Sequence, residues 1–188
     1  MPLSGITTIE LSAQTADPLR VPVTADGVVR ATAVVDDVFV ERRIPAGTIG
    51  GADWVAYLMA RLGVRPIPMM PGFVVTVDSA SIHLRSRIAD LPAQTRAELG
   101  PLVGFLDPTT PISATILLQP AGALAARFHL ETVSVNGFPI PDGFLLPYLS
   151  DIGRRYPMLT RTGRDLLIQV PQGGLLSLAP DSIHLSLP

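Results

Sequence analysis

Two of the three histidines in this sequence sit inside the same four-residue word. Ser81-Ile82-His83-Leu84 recurs as Ser182-Ile183-His184-Leu185. A repeated histidine invites two kinds of chemistry, a pair of metal ligands or a pH sensor. Strand alternation points each ring away from the Ile82/Leu84 and Ile183/Leu185 faces, so two rim histidines left by a duplication are the simpler reading. The third, His129, lies two residues from Glu131, the spacing that sets an imidazole and a carboxylate side by side on a strand for acid–base work. Arg127, His129 and Glu131 also read as the wet face of an ordinary strand, which again is simpler. Asp36, Asp37 and Glu41 supply oxygen ligands for a hard cation, but without loop spacing they read as a charged edge. Arg154-Arg155-Tyr156 suits a phosphate group or, more simply, the negative end of a helix dipole.

What is missing narrows the field further. There is no cysteine, which removes thiolate metal sites, disulfides and thiol catalysis. There is no lysine either, so Schiff-base and Ser-Lys mechanisms are out. None of the G-x-S-x-G, H-E-x-x-H, P-loop or G-x-G-x-x-G patterns occurs. The net charge of −2 and the absence of basic runs longer than a pair argue against nucleic acid. No apolar run is long enough to span a membrane as a helix. The sequence therefore nominates no catalytic residue, no metal and no cofactor, and the expectation is a non-enzymatic protein.

The elements that must position these residues are legible from periodicity. Residues 6–13 read as a strand, and residues 28–40 as a long strand interrupted by Asp36-Asp37 at a bulge or edge. A helix is predicted from near Gly51 to Leu62, with Trp54, Val55, Leu58, Met59 and Leu62 as its apolar stripe and Gly63 as C-cap. Residues 73–77 and 81–88 read as strands whose apolar face changes phase near residues 78–80, the mark of a bulge or tight turn. A short helix is predicted at 95–100, and strands at 112–118, 123–135, 166–170 and 182–187. In the 123–135 strand, Leu124, Ala126, Phe128 and Leu130 share a face. A second helix follows Pro141-Asp142-Gly143, with Phe144, Leu145, Tyr148, Leu149 and Ile152 repeating the stripe of the first.

Ile44-Pro45-Ala46-Gly47 and Ile140-Pro141-Asp142-Gly143 precede the two helices, as the Ser-Ile-His-Leu words follow them. The order suggests one unit built twice, with halves at roughly 28–88 and 123–188 of a single domain covering residues 1–188. The predicted class is α+β: a long, curved, antiparallel β-sheet wrapped around two amphipathic helices, with a possible internal strand-helix-strand pseudo-repeat.

Charged residues make up only 16% of the chain against 47% hydrophobic, so apolar side chains must fill a core or surround an apolar ligand. Two loops, 66–73 and 99–106, carry Met69, Met70, Phe73, Phe105 and Leu106, and are placed to gate a greasy cavity or touch a membrane.

The run Val133-Ser134-Val135-Asn136-Gly137-Phe138-Pro139-Ile140-Pro141, entering Phe144-Leu145-Leu146, resembles the strand-to-helix signature of bacterial TULIP-type lipid-binding proteins. That superfamily includes the bactericidal permeability-increasing proteins and SMP domains. Residues 175–185 resemble their final strands. The resemblance implies a curved antiparallel sheet on a helix, a tubular acyl-chain site, and no catalytic residues to carry over. The expected function is binding or transfer of a lipid or other apolar ligand. The alternative is a structural or protein-interaction module of a bacterial envelope or oligomeric assembly with a filled core. The expected lining is Trp54, Leu58, Leu62, Met69, Met70, Phe105, Phe128, Leu130, Leu145, Leu149 and Ile152. The expected partner is a fatty-acid-like ligand, with transient membrane contact and no nucleic acid. Met1-Pro2-Leu3-Ser4 lacks the charged and apolar regions of a signal peptide. The expected compartment is thus the cytoplasm, or the bacterial periplasm or envelope if an export signal or anchor has been removed.

Overall fold

A computed structural model of the chain describes residues 23–61, 74–91, 93–98, 104–143, 146 and 160–188. The first helix, α1 (Ala25–Val35), begins where Thr24 caps it: Thr24 Oγ1 accepts the Gly27 N–H at 3.1 Å. Its buried face is Gly27, Ala31 and Val35, and Val38 continues it across a π-helical turn, Asp36–Val40. This corrects the strand expected over residues 28–40. The valines favour a strand by less than about 1 kcal/mol each, a preference that a cap and a buried stripe at helical spacing outweigh. Asp36 and Asp37 accordingly sit in the π turn and not at a strand bulge.

Strand β1 (Ala46–Gly50) runs directly into helix α2 (Gly51–Arg61), which matches the first predicted helix. Helices α1 and α2 pack together closely because Gly27 has no side chain: a Cβ there would lie 2.6 Å from Asp53 Oδ1. Beside that contact Arg30 grips Asp53 with two hydrogen bonds of 2.8 and 2.7 Å.

Next come β2 (Val74–Val77) and β3 (Ser81–Arg87), a 3₁₀ turn at Ile88–Asp90, α3 (Ala93–Glu98), β4 (Pro111–Pro120) and β5 (Ala125–Val135). The short β6 (Phe138–Pro139), β7 (Thr160–Thr162), β8 (Asp165–Gln169), β9 (Leu175–Ala179) and β10 (Ser182–Ser186) complete the described residues. All pairings are antiparallel. The large sheet has the order β2-β3-β4-β5-β8-β7 with β6 on β5, and the small sheet the order β1-β10-β9. The class is α+β with a large antiparallel sheet, as expected. Apart from Leu146, the second predicted stripe (144–152) lies outside the described residues, as does the strand at 6–13.

The turns follow their residues. The phase change near residues 78–80 is a tight hairpin turn: Asp78 N–H donates to the Ser81 carbonyl, and Asp78 Oδ1 accepts the Ala80 and Ser81 N–H groups, each at 2.7 Å. Between β5 and β6, Asn136 and Gly137 both take positive φ (51° and 80°), the arrangement of a two-residue I′ turn.

The repeated words share a local setting but not a sheet. Both Ser-Ile-His-Leu segments form the second strand of a hairpin, β2–β3 or β9–β10. Ile82 and Ile183 are both fully buried. Each histidine faces a threonine directly across the ladder: His83 Nδ1 lies 3.3 Å from Thr115 Oγ1, and His184 Nδ1 lies 2.9 Å from Thr48 Oγ1. Yet the halves open differently, with α1 in one and β5 in the other, and β1 pairs with the second word rather than the first.

Two backbone hydrogen bonds tie the sheets together. Gly51 N–H donates to the Asp181 carbonyl and Asp181 N–H to the Val77 carbonyl, each at 2.9 Å. The turn of the β9–β10 hairpin thus joins the start of α2 to the end of β2. Around this joint sits the core, in which Trp54, Ile82, Ile183, Leu185, Val23 and Val38 are the largest fully buried side chains.

Candidate functional site

Where the two sheets part, they leave a cavity of about 260 Å³, open to solvent on one side. Its walls are Leu118 from β4, Ala126 from β5, Val170 after β8, and Leu176 and Leu178 from β9. Gly122, Ala123 and Leu175, all exposed, and the half-buried Gly174 line its open side, the mouth. Ser79, Gln119 and Ser177 supply the polar fringe, and no charged side chain is among the lining residues. A cavity without an ionisable group is suited to holding an apolar molecule rather than to proton transfer.

The residues expected to line a ligand site are divided by the structure. Trp54, Leu58 and Phe128 do come together, but as a filled core. Trp54 is 1% exposed, stacks on Tyr57 at 5.3 Å between ring centroids, and meets Phe128 at 6.0 Å. Its Nε1–H is buried without an acceptor. Leu130 is half-buried, two residues along β5 from Phe128. Ala126, the next inward residue on that strand, is where the core meets the cavity. Phe105 is 90% exposed, lies six residues before the start of β4 and does not line the cavity. Leu62, Met69, Met70, Leu145, Leu149 and Ile152 lie outside the described residues.

The cavity residues Leu118, Ala123, Val170, Leu176 and Leu178 were not anticipated. A signal for them exists, because residues 111–126 and 166–180 are two long stretches with no charged residue.

Several of the polar candidates have local partners. Asp37 and Glu41 are held by Arg43, which bonds Asp37 through Nε at 2.9 Å and Glu41 through Nη1 at 2.9 Å. His129 does not pair with Glu131. The ladder shifts between Thr115 and Ile116, leaving Glu131 unpaired as the extra residue of β5 and taking it out of alternation. The carboxylate beside His129 is instead Asp165 of β8, with Nδ1 to Oδ1 at 2.6 Å and Arg127 Nε 3.7 Å from the other oxygen. Among the described residues no hydroxyl bonds to His129.

His83 Nε2 lies 3.0 Å from Asp78 Oδ2. The Ala80 N–H, then the Ser81 hydroxyl, His83 and the Ser81 N–H hold the Asp78 carboxyl well below the usual carboxylate range. Ser81 Oγ and Asp78 both approach the same nitrogen of His83, which is the geometry of a braced turn and not of a nucleophile relay. Arg154, Arg155 and Tyr156 lie outside the described residues. Among the described residues no group of three or more His, Asp or Glu side chains could hold a metal ion, and no helix is long and apolar enough to cross a membrane.

No protein-family model, curated protein or solved structure matches the chain.

Proposed function

We propose that this protein binds a slender apolar ligand, of the fatty-acid or lipid-chain type, without chemical turnover. The observation that carries the reading is the uncharged cavity between the sheets, walled by Leu118, Ala126, Val170, Leu176 and Leu178. At about 260 Å³ it exceeds the ~150 Å³ of an apolar cavity able to take up benzene, and falls short of the ~300 Å³ at which drug-sized sites begin. A chain end fits this range better than a bulky ring system. Ser79, Gln119 and Ser177 are placed to hydrogen-bond a carboxyl or hydroxyl at the mouth.

Each methylene moved from water into such a site gains about 0.8 kcal/mol. Relative to a bilayer the gain is near zero, so loading and unloading at a membrane need no energy source. The resemblance to TULIP-type proteins supports the same ligand class.

The test is native mass spectrometry of the purified protein, followed by titration with a fluorescent fatty acid. Saturable uptake is expected, and Ala123→Trp, which places a large ring across the mouth, should abolish it while the protein stays folded. A ligand-free protein that takes up no probe, or an Ala123→Trp variant that binds as well as wild type, sinks the reading.

A second reading, a module that works through protein contacts, draws on the filled core around Trp54 and on the exposed Phe105 and Phe138. It predicts no uptake, together with self-association that grows with concentration.

A further inference from the structure

Strand β9 lies at the edge of the small sheet, with β10 as its neighbour on one side. Backbone groups along a strand point alternately to its two sides. The phase of β9 follows from that of β10. On β10 the odd-numbered residues bond toward β1: Leu187 N–H donates to the Pro45 carbonyl at 2.7 Å, and at the other end the Asp181 carbonyl accepts the Gly51 N–H at 2.9 Å. Ser182, His184 and Ser186 therefore bond toward β9, where they meet Ala179, Ser177 and Leu175. The N–H and C=O groups of Leu176 and Leu178 are left directed away from β10. Among the described residues nothing bonds to them there.

Both leucines line the cavity, and Leu178 is only 8% exposed. Backbone groups that are buried and unpaired are uncommon in native proteins. The free edge of β1 shows the contrast. There Ala46, Thr48 and Gly50 turn their backbone groups outward, and all three are exposed to water.

The unpaired groups define the chemistry of an occupant. An acyl chain has no donor or acceptor along its length and would leave them as they are. An extended polypeptide presents an N–H and a C=O to one side at every second residue, about 7 Å apart, which is the spacing from Leu176 to Leu178. Side chains directly opposite these leucines share their face and point at Leu118 and Ala126, so apolar residues fit there. No charged side chain lines the space, so an uncharged strand fits it.

We infer that β9 accepts an extended, uncharged peptide strand with apolar residues at alternate positions, paired to Leu176 and Leu178 inside the cavity. The inference stands on the backbone groups and not on the ligand reading, although both occupants would use the same space.

The probe is a peptide with the sequence of residues 182–187, Ser-Ile-His-Leu-Ser-Leu, carrying a dye at its N-terminus and amidated at its C-terminus. Saturable binding to the full chain is expected by fluorescence anisotropy. The apolar residues of the peptide must lie opposite Leu176 and Leu178, so their N–H groups face β9. N-methylation of its isoleucine and first leucine should weaken binding roughly tenfold or more, and N-methylation of its histidine and second serine should not. The opposite phase would mean that the peptide has displaced β10 and overturns the inference, as does equal sensitivity at all four positions. Leu176→Pro removes one edge N–H without touching the β10 ladder and should weaken binding to a similar degree. The methylated peptides leave the protein unaltered, so they decide the matter even where that variant does not fold.

In wild type the Leu176 and Leu178 amides should exchange with solvent at least tenfold more slowly once the peptide saturates. Amides that do not slow overturn the pairing. Amides that slow with protein concentration alone assign the edge to a second copy and overturn it too. Peptide binding without fatty-acid uptake removes the ligand reading and leaves the strand site; fatty-acid uptake without peptide binding does the reverse.

Discussion

At the scale of single residues, the side chains most able to do chemistry are engaged in holding turns and ladders. Asp78 shows this best. Its carboxylate accepts from two backbone N–H groups and the Ser81 hydroxyl, and it also meets His83, so the folded chain favours the ionised form. A carboxyl whose pKa is lower folded than unfolded adds stability above its ordinary unfolded value, and that stability is lost as the pH falls through and below it. Lowering the pH from near neutrality to about 3 should therefore reduce the urea midpoint of the wild type more than that of Asp78→Asn. Equal losses in the two proteins would show that the turn draws nothing from the charge. Because this turn carries Ser79 into the cavity wall, the same titration should loosen one side of the mouth.

At the scale of elements, what could be read depended on whether local pattern and tertiary setting agreed. In α2, β3 and β5 they agree: Trp54, Val55 and Leu58 are buried at helical spacing, and Ala126 and Phe128 alternate with Arg127 and His129. Over residues 28–40 they disagree, because β-branched residues that alternate well on paper are buried at helical spacing instead. The Thr24 cap was available in the sequence as a warning. The bulge in β5 was not legible, since its cause lies far along the chain. Arg164 donates to the Leu130 and Glu131 carbonyls, pairs with Asp142, and accepts the Leu130 N–H on its own carbonyl. Arg164→Met should leave those carbonyls without their charged donor and cost about 1–3 kcal/mol of unfolding free energy. The Leu130 amide should exchange faster with solvent than in wild type. An unchanged exchange rate would mean that the bulge stands without its arginine.

At the scale of the whole molecule, the cavity exists because two sheets are tied at one place and part at another. The tie is the Gly51–Asp181–Val77 relay of backbone hydrogen bonds beside the packed core. The cavity lies between β9 and the β4–β5 hairpin, where Leu176 and Leu178 face Leu118 and Ala126 across unfilled space. Nothing local in the sequence announces such a gap, because its walls come from segments more than forty positions apart; only the charge-free stretches point to it. An occupant filling that space would touch both sheets at once, and so would bind the folded state and not the unfolded chain. At a hundredfold excess over its dissociation constant, such a ligand stabilises by about 2.7 kcal/mol. For a chain of this length that corresponds to a rise in Tm of roughly 5–10 °C. A fatty acid should produce the shift in wild type and in Leu124→Asp, whose cavity is intact, but not in Ala123→Trp, whose mouth is closed. A shift of the same size in Ala123→Trp would place the ligand elsewhere on the protein and leave the space between the sheets as a packing defect.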